Sequence, residues 1–192
     1  MDDLDALVQV LEQGGLVACP TETWLGLLAD ARNEKAVERV AQLKGRPAQM
    51  PIALLLPAAR AAREVALAPC AAARALMQAY WPGPLTILLP AKPGLSRRLR
   101  RDGKVGVRVP GPSPAAELVR AFGHPLTATS ANRTDEPPLR SVRELPPAWT
   151  AALGGLVPGC SPGGPPSTLL DSTTTPMQVL RAGAVEIDPA AL

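Results

Sequence analysis

The sequence predicts a single-domain α/β fold, a twisted mixed sheet with flanking helices. Three observations carry that prediction. Short apolar runs alternate with segments of helical periodicity along most of the chain. Some strand-like runs, such as 85–89 and 104–109, follow one another with no helix between them, which calls for a mixed sheet rather than a purely parallel one. At 192 residues, with no repeat or linker in view, residues 1–192 read as one domain with one sizeable core.

The elements follow in order. Leu4, Leu7, Val8 and Leu11 mark an amphipathic helix stopped at Gly14-Gly15, and Leu16–Cys19 reads as a buried strand. That strand runs into Pro20-Thr21-Glu22-Thr23-Trp24, a hydroxyl-rich turn at a strand end, where open α/β folds hold ligands. Asn33 is a good N-cap for a helix whose apolar face is Ala36, Val37, Val40 and Leu43, with Gly45 as a left-handed cap. Ile52–Leu56 is a strand, and helical pattern runs from Pro57 to Tyr80 until Trp81-Pro82-Gly83-Pro84 breaks it. After the strand 85–89 and a basic run at 97–101 comes Lys104–Val109, in which the valines share one side and Lys104, Gly106 and Arg108 the other. Ser113-Pro114 opens a helix to Phe122, and Leu126–Asn132 is a strand ending in small polar residues. Ser141-Val142-Arg143-Glu144 resembles a capping box for a short helix cut by Pro146-Pro147. A proline- and glycine-rich loop, 158–166, delivers Ser167-Thr168 into a strand through Asp171, and a last strand, 178–180, ends at Arg181.

Composition narrows the function. The net charge is +3 and the pI about 9.0, so a local basic patch is expected but no domain-wide positive field. Three scattered cysteines indicate neither a disulfide framework nor a zinc set, and a single histidine, His124, makes a His-rich metal site or a Ser-His-Asp triad unlikely. An acidic N-terminus and the absence of any apolar run of roughly 18–20 residues favour a cytoplasmic protein with no membrane role. An enzyme of this composition works by positioning and electrostatics, with any metal arriving on its substrate.

The chemistry-bearing residues each have a bland alternative. Lys44 and Arg46 flank Gly45 at a pinned turn, so their heads can converge on one anion, or they merely complement the helix dipole in solvent. Gly106 leaves a gap between Lys104 and Arg108 where a small anion could lie, or the strand simply has a solvated polar face. Ser130 and Asn132 can serve a nucleotide or make a turn, and Thr21 and Thr23 can serve a ligand or their own backbone. The 158–166 loop lacks the P-loop spacing, and the 97–101 run lacks interleaved aromatics for stacking on nucleic acid.

Seven blocks, in order and spanning nearly the whole chain, together resemble the YrdC-like family, the bacterial threonylcarbamoyl-AMP synthases. They are Pro20–Thr23, Lys44–Pro47, Trp81–Thr86, Val107–Pro110, Ser130-Ala131-Asn132, Pro166–Thr168 and Arg181–Gly183. The resemblance implies a twisted mixed sheet with a large cationic concave cavity. It implies an enzyme that makes threonylcarbamoyl-adenylate and pyrophosphate from L-threonine, bicarbonate and ATP, with Mg²⁺ carried by the ATP. A separate transferase complex would then modify tRNA. By motif, Lys44 and Arg46 would be catalytic and hold the ATP phosphates, with Ser130, Asn132 and Arg181 positioning the nucleotide. Thr23, Arg108, Ala128 and Ser167 would hold threonine, Arg108 pairing with its carboxylate. The sequence departs from the family at Leu25–Leu28, where Tyr-Gly-Leu-Gly is usual, at Lys104, where threonine is common, and at Arg133–Pro138, where Pro138 replaces a nucleotide-contacting serine. Two alternatives remain open here: a non-catalytic protein binding double-stranded RNA, and a carbamoyl-transferring domain of hydrogenase maturation, which lacks its usual companion modules in this chain.

Overall fold

The computed structural model describes residues 4–188. The chain runs α1 (Leu4–Glu12), β1 (Val17–Pro20), β2 (Leu25–Leu28), α2 (Glu34–Lys44), β3 (Ala53–Leu55), α3 (Ala62–Val65), α4 (Ala71–Tyr80), β4 (Leu85–Pro90), β5 (Arg100–Arg101), β6 (Lys104–Arg108), α5 (Pro114–Phe122), β7 (Leu126–Ser130), α6 (Pro147–Ala152), β8 (Gly155–Leu156), β9 (Thr168–Asp171) and β10 (Gln178–Arg181). The strands form one ten-stranded sheet in the order β10-β9-β4-β6-β3-β7-β2-β1-β8, with β5 paired to β6 outside that path. Three pairs are parallel, β1 with β8, β3 with β6 and β4 with β9, and the rest are antiparallel. The mixed sheet expected from adjacent strand runs is therefore present.

Strand alternation divides the sheet into two faces. On one, Leu25, Leu27, Leu54, Ile87, Val105 and Val107 pack against Val37 and Val40 of α2 and Leu76 and Met77 of α4. On the other, Val17, Cys19, Leu28, Leu55 and Leu126 meet Leu7 and Leu11 of α1 and Leu118, Val119 and Phe122 of α5. Each fully buried leucine contributes roughly 2 kcal/mol by leaving water. The second layer is shorter than the first. Beyond α1 and α5, the side-chain positions of Gly26, Ala53, Gly106, Ala128 and Ser130 line an open hollow.

Local signals set most helix ends. The Asn33 side chain accepts from Ala36 N–H, and Gly45 takes φ +59° to close α2. Ser113 caps α5 in the same way. The continuous helix expected over 57–80 is not formed. It is split into a 3₁₀ turn (Ala59–Ala61), α3 and α4. Ala66 bridges to Ala91 and Leu67 N–H donates to Pro90, so the chain returns to the sheet before Pro69, which cannot donate within a helix. Cys70 then caps α4 through its sulfur. At 141–152 the expectation is also corrected. Ser141 caps only a 3₁₀ turn, Val142–Glu144, and the two prolines start α6 rather than end a helix, Pro147 standing at its first turn.

Candidate active site

The hollow is a cavity of about 410 Å³, within the range of small-ligand sites. Its floor comes from alternate positions of neighbouring strands: Gly26 and Leu28, Ala128 and Ser130, Ala53 and Leu55, Gly106 and Arg108, Thr86 and Leu88. Small residues keep it open. A Cβ on Gly106 would stand 3.3–3.4 Å from Leu88, Ala53 and Thr86 and fill the floor.

Three guanidinium groups line this cavity, and they come from distant parts of the chain. Arg46 follows the left-handed Gly45, its own N–H bonding back to Ala41 at 2.8 Å, so the turn at the end of α2 aims its side chain. Its Nε and Nη2 donate to the carbonyls of Met50 and Pro51, both at 2.8 Å. Arg181, at the end of β10, donates through Nε and Nη2 to the Ser167 carbonyl at 3.2 and 2.8 Å and reaches Ser167 Oγ at 3.2 Å. Arg108, at the end of β6, is buried and pairs with Glu22 at 2.7 Å. Burial lowers the pKa of all three, and Arg181 adds its repulsion to both Arg46 and Arg108. A concave surface holding mutually repelling cations is stabilised by an anion.

The hydroxyl groups are linked as well. Ser167 Oγ and Thr86 Oγ1 lie 2.9 Å apart, and Thr21 Oγ1 and Thr23 Oγ1 lie 3.1 Å apart. Thr21 also holds the turn, accepting from Thr23 N–H and Trp24 N–H and donating to the Trp24 carbonyl. The turn-making reading of this segment is realised, and Thr21, Thr23 and Trp24 also line the cavity.

Of the residues singled out from sequence, Thr23, Arg46, Arg108, Ala128, Ser130, Ser167 and Arg181 converge on this one cavity. Lys44 and Asn132 are not among its lining residues, and the heads of Lys44 and Arg46 bond to different carbonyls. The buried Nζ of Lys44 donates to the carbonyls of Ser130 and Asn132, while its own carbonyl accepts from Thr134 N–H and Oγ1. Burial, aided by Arg46, pushes its pKa down to about 8. Asn132 bonds through Nδ2 to the carbonyls of Arg133 and Glu136, and its Oδ1 is buried without a partner among the described residues. Lys104 does not form the far side of a gap facing Arg108. It pairs with Asp171 at 2.6 Å. Arg108 is not free for a ligand carboxylate alone, since Glu22 already holds one edge of it.

Sequence reasoning placed Glu22, Trp24 and Thr86 within its motif segments but gave none of them a role. Thr86 could have been found as the polar residue on the face opposite Leu85, Ile87 and Leu89. Glu22 is the one carboxylate in an otherwise hydroxyl-bearing turn. Its Oε1 holds Arg108, while Oε2 is buried without a partner among the described residues.

With this geometry in place, comparison with known proteins is informative. The Sua5/YciO/YrdC family model, whose description is telomere recombination, matches residues 9–183. The chain belongs to this family. Among its Sua5/YciO/YrdC relatives, the threonylcarbamoyl-AMP synthase of Xanthomonas euvesicatoria is 39% identical over 163 residues, covering 82% of this chain and 86% of the relative. That of Halorhodospira halophila is 43% identical over 152 residues, 78% of each chain. The structure of P. abyssi Sua5 complexed with L-threonine superposes with a TM-score of 0.88 at 31% identity, covering 94% of this chain. This chain spans 54% of that Sua5 chain. E. coli YciO shares the fold, with a TM-score of 0.85 at 23% identity over 97% of this chain and 91% of its own. No helix among the described residues is long and apolar enough to cross a membrane.

Proposed function

We propose that this protein is an L-threonylcarbamoyladenylate synthase. As a nucleotidyltransferase it would join L-threonine, bicarbonate and ATP into threonylcarbamoyl-AMP, releasing pyrophosphate, to supply the threonylcarbamoyl group of modified tRNA. The observation that carries the reading is the convergence of Arg46, Arg108 and Arg181 on one hydroxyl-bearing cavity. Its similarity to proteins named threonylcarbamoyl-AMP synthase supports the same conclusion.

The chemistry needs no protein nucleophile. Bicarbonate loses hydroxide to give carbon dioxide, and the neutral threonine amine adds to its carbon, forming the N–C bond of a carbamate and passing one amine proton to that hydroxide, so that water is the by-product. A carbamate oxygen then attacks the α-phosphorus, and pyrophosphate leaves. The protein's part is to hold three small reactants together and to offset charge on the phosphates. Arg46 and Arg181 suit the phosphates, which a guanidinium grips in a fork. Arg108, Thr23, Thr86 and Ser167 suit an amino acid, Arg108 offering its remaining N–H groups to the carboxylate. Lys44 and Asn132 would act by shaping the 130–136 loop that presents Ser130. Mg²⁺ is assigned to the nucleotide, as part of the substrate.

The RNA-binding alternative draws no support from the 97–101 run. Arg98 pairs with Glu38 at 2.7 Å, Arg100 donates to Leu95 and Arg101 to Gln49. The test is pyrophosphate release from Mg-ATP with and without L-threonine and bicarbonate. Release should require both, and Arg46→Ala should abolish it. Release indifferent to threonine contradicts the assignment.

A further inference from the structure

Among the described residues Trp24 is the only aromatic one lining the cavity, in a chain with just three tryptophans, one tyrosine and one phenylalanine. The other two tryptophans are otherwise engaged: Trp81 donates its indole N–H to Leu85, and Trp149 is buried in the core. Trp24 is half-buried. Its backbone, by contrast, is held three times by Thr21: N–H to Oγ1 at 3.2 Å, carbonyl from Oγ1 at 2.7 Å and carbonyl from Thr21 N–H at 3.2 Å. A ring on a fixed backbone, left open to a cavity, loses little freedom when something stacks on it.

Two backbone hydrogen bonds bring neighbouring segments up to Trp24. Leu25 N–H bonds to the Leu139 carbonyl at 2.9 Å, which sets Pro138 beside Trp24, and Gly163 N–H bonds to the Thr23 carbonyl at 2.9 Å, which brings the 158–166 loop alongside. A Cβ on Gly163 would stand 3.4 Å from the indole ring and equally from Arg140 Cδ and Nε, so the loop packs against both side chains. Pro138, Gly164 and Pro166 also line the cavity. The cavity thus offers an aromatic ring, two prolines and a glycine besides its three guanidinium groups, and a nucleotide likewise has a base besides its phosphates.

We propose that Trp24 is the stacking platform for the nucleobase of the bound nucleotide. This rests on the ATP-dependent reading of the cavity and adds to it the residue that holds the base. Stacking on an aromatic ring contributes about 1–3 kcal/mol per base and tolerates any base, so affinity at this site should follow ring area rather than a hydrogen-bond code. The ring then recognises purine triphosphates over pyrimidine ones, and the arginines bind the phosphates of either.

The test is titration of wild type, Trp24→Phe and Trp24→Ala with ATP, CTP and tripolyphosphate, followed by intrinsic fluorescence and calorimetry. ATP should quench the wild-type indole emission and tripolyphosphate should not, and the quench should vanish in Trp24→Phe. Trp24→Ala should lose roughly 5- to 100-fold in ATP affinity, with tripolyphosphate unchanged and Trp24→Phe restoring most of the loss. Unchanged ATP affinity in Trp24→Ala, or equal losses for ATP and tripolyphosphate, overturns the stacking role while leaving the synthase reading intact if threonine-dependent turnover persists. If Trp24→Ala does not fold, the wild-type quench and the Trp24→Phe titration decide. Wild type that binds no ATP overturns both.

Discussion

Lys44 shows how a residue's chemistry is decided by where its acceptors lie. Its type and position at the end of α2 fit a phosphate ligand, and its ammonium also meets two backbone carbonyls of the 130–132 segment. The clamp is reciprocal, since Thr134 bonds back to the Lys44 carbonyl at 2.9 Å. Burial holds the ammonium near pKa 8 against its ordinary 10.5. Between those values the unfolded chain binds more protons at this site than the folded one, so its contribution to stability rises with pH. The unfolding free energy of wild type minus that of Lys44→Met should therefore grow by roughly 2 kcal/mol from about pH 7.5 to about pH 9.5. Urea denaturation of both proteins at both pH values measures it. A difference that stays flat would show that the two carbonyls fully offset the loss of hydration. Asn33, Gly45 and Ser113, by contrast, behave as their sequence neighbours dictate, because a cap is satisfied within its own turn.

Among the elements, the crossing of the 166–168 and 181–185 segments sets the site most tightly. Arg181 bonds to Ser167, Ala184 N–H bonds to the Pro166 carbonyl at 2.8 Å, and Thr168 Oγ1 both donates to and accepts from Val185. A Cβ on Gly183 would come within 2.2 Å of the Pro166 carbonyl oxygen and 2.5 Å of Thr168 N. Both are backbone atoms, so the two segments must separate to admit it. Gly183→Ala should lower stability by about 1–3 kcal/mol, as overpacking does. It should also weaken L-threonine binding at least about tenfold by displacing Ser167 and Arg181. Thermal unfolding and calorimetric titration test the two effects separately, and wild-type threonine affinity in the variant would show that this crossing does not set the site. The break of the expected 57–80 helix belongs to the same scale. Apolar periodicity alone could not show that the sheet edge at Pro90 and Ala91 would capture Ala66 and Leu67.

At the scale of the molecule, the cavity is the part of one sheet face that α1 and α5 leave uncovered, and its lining comes from β2, β7, β3, β6, β4, β9 and β10. A ligand there bridges strands that are far apart in the chain and binds only when all are in place. Saturation with ATP and threonine should thus raise global stability, by about 2.7 kcal/mol at a hundred times Kd for one ligand. Differential scanning calorimetry should show the shift in wild type and not in Arg46→Ala. An equal shift in that variant would place the ligand elsewhere. Strand alternation, helix periods, caps and the order of the seven motif blocks were legible because each is written in residues a few positions apart. They determined the mixed α/β class and named nine of the residues that line the cavity, Thr21 and Gly106 among them. Which cations face it, that Glu22 holds Arg108, that Asp171 takes Lys104 and that Trp24 lines the cavity were settled only by tertiary structure. Hydrogen bonds and ion pairs form with whatever partner the fold brings within about 3 Å, and sequence separation carries no record of that distance.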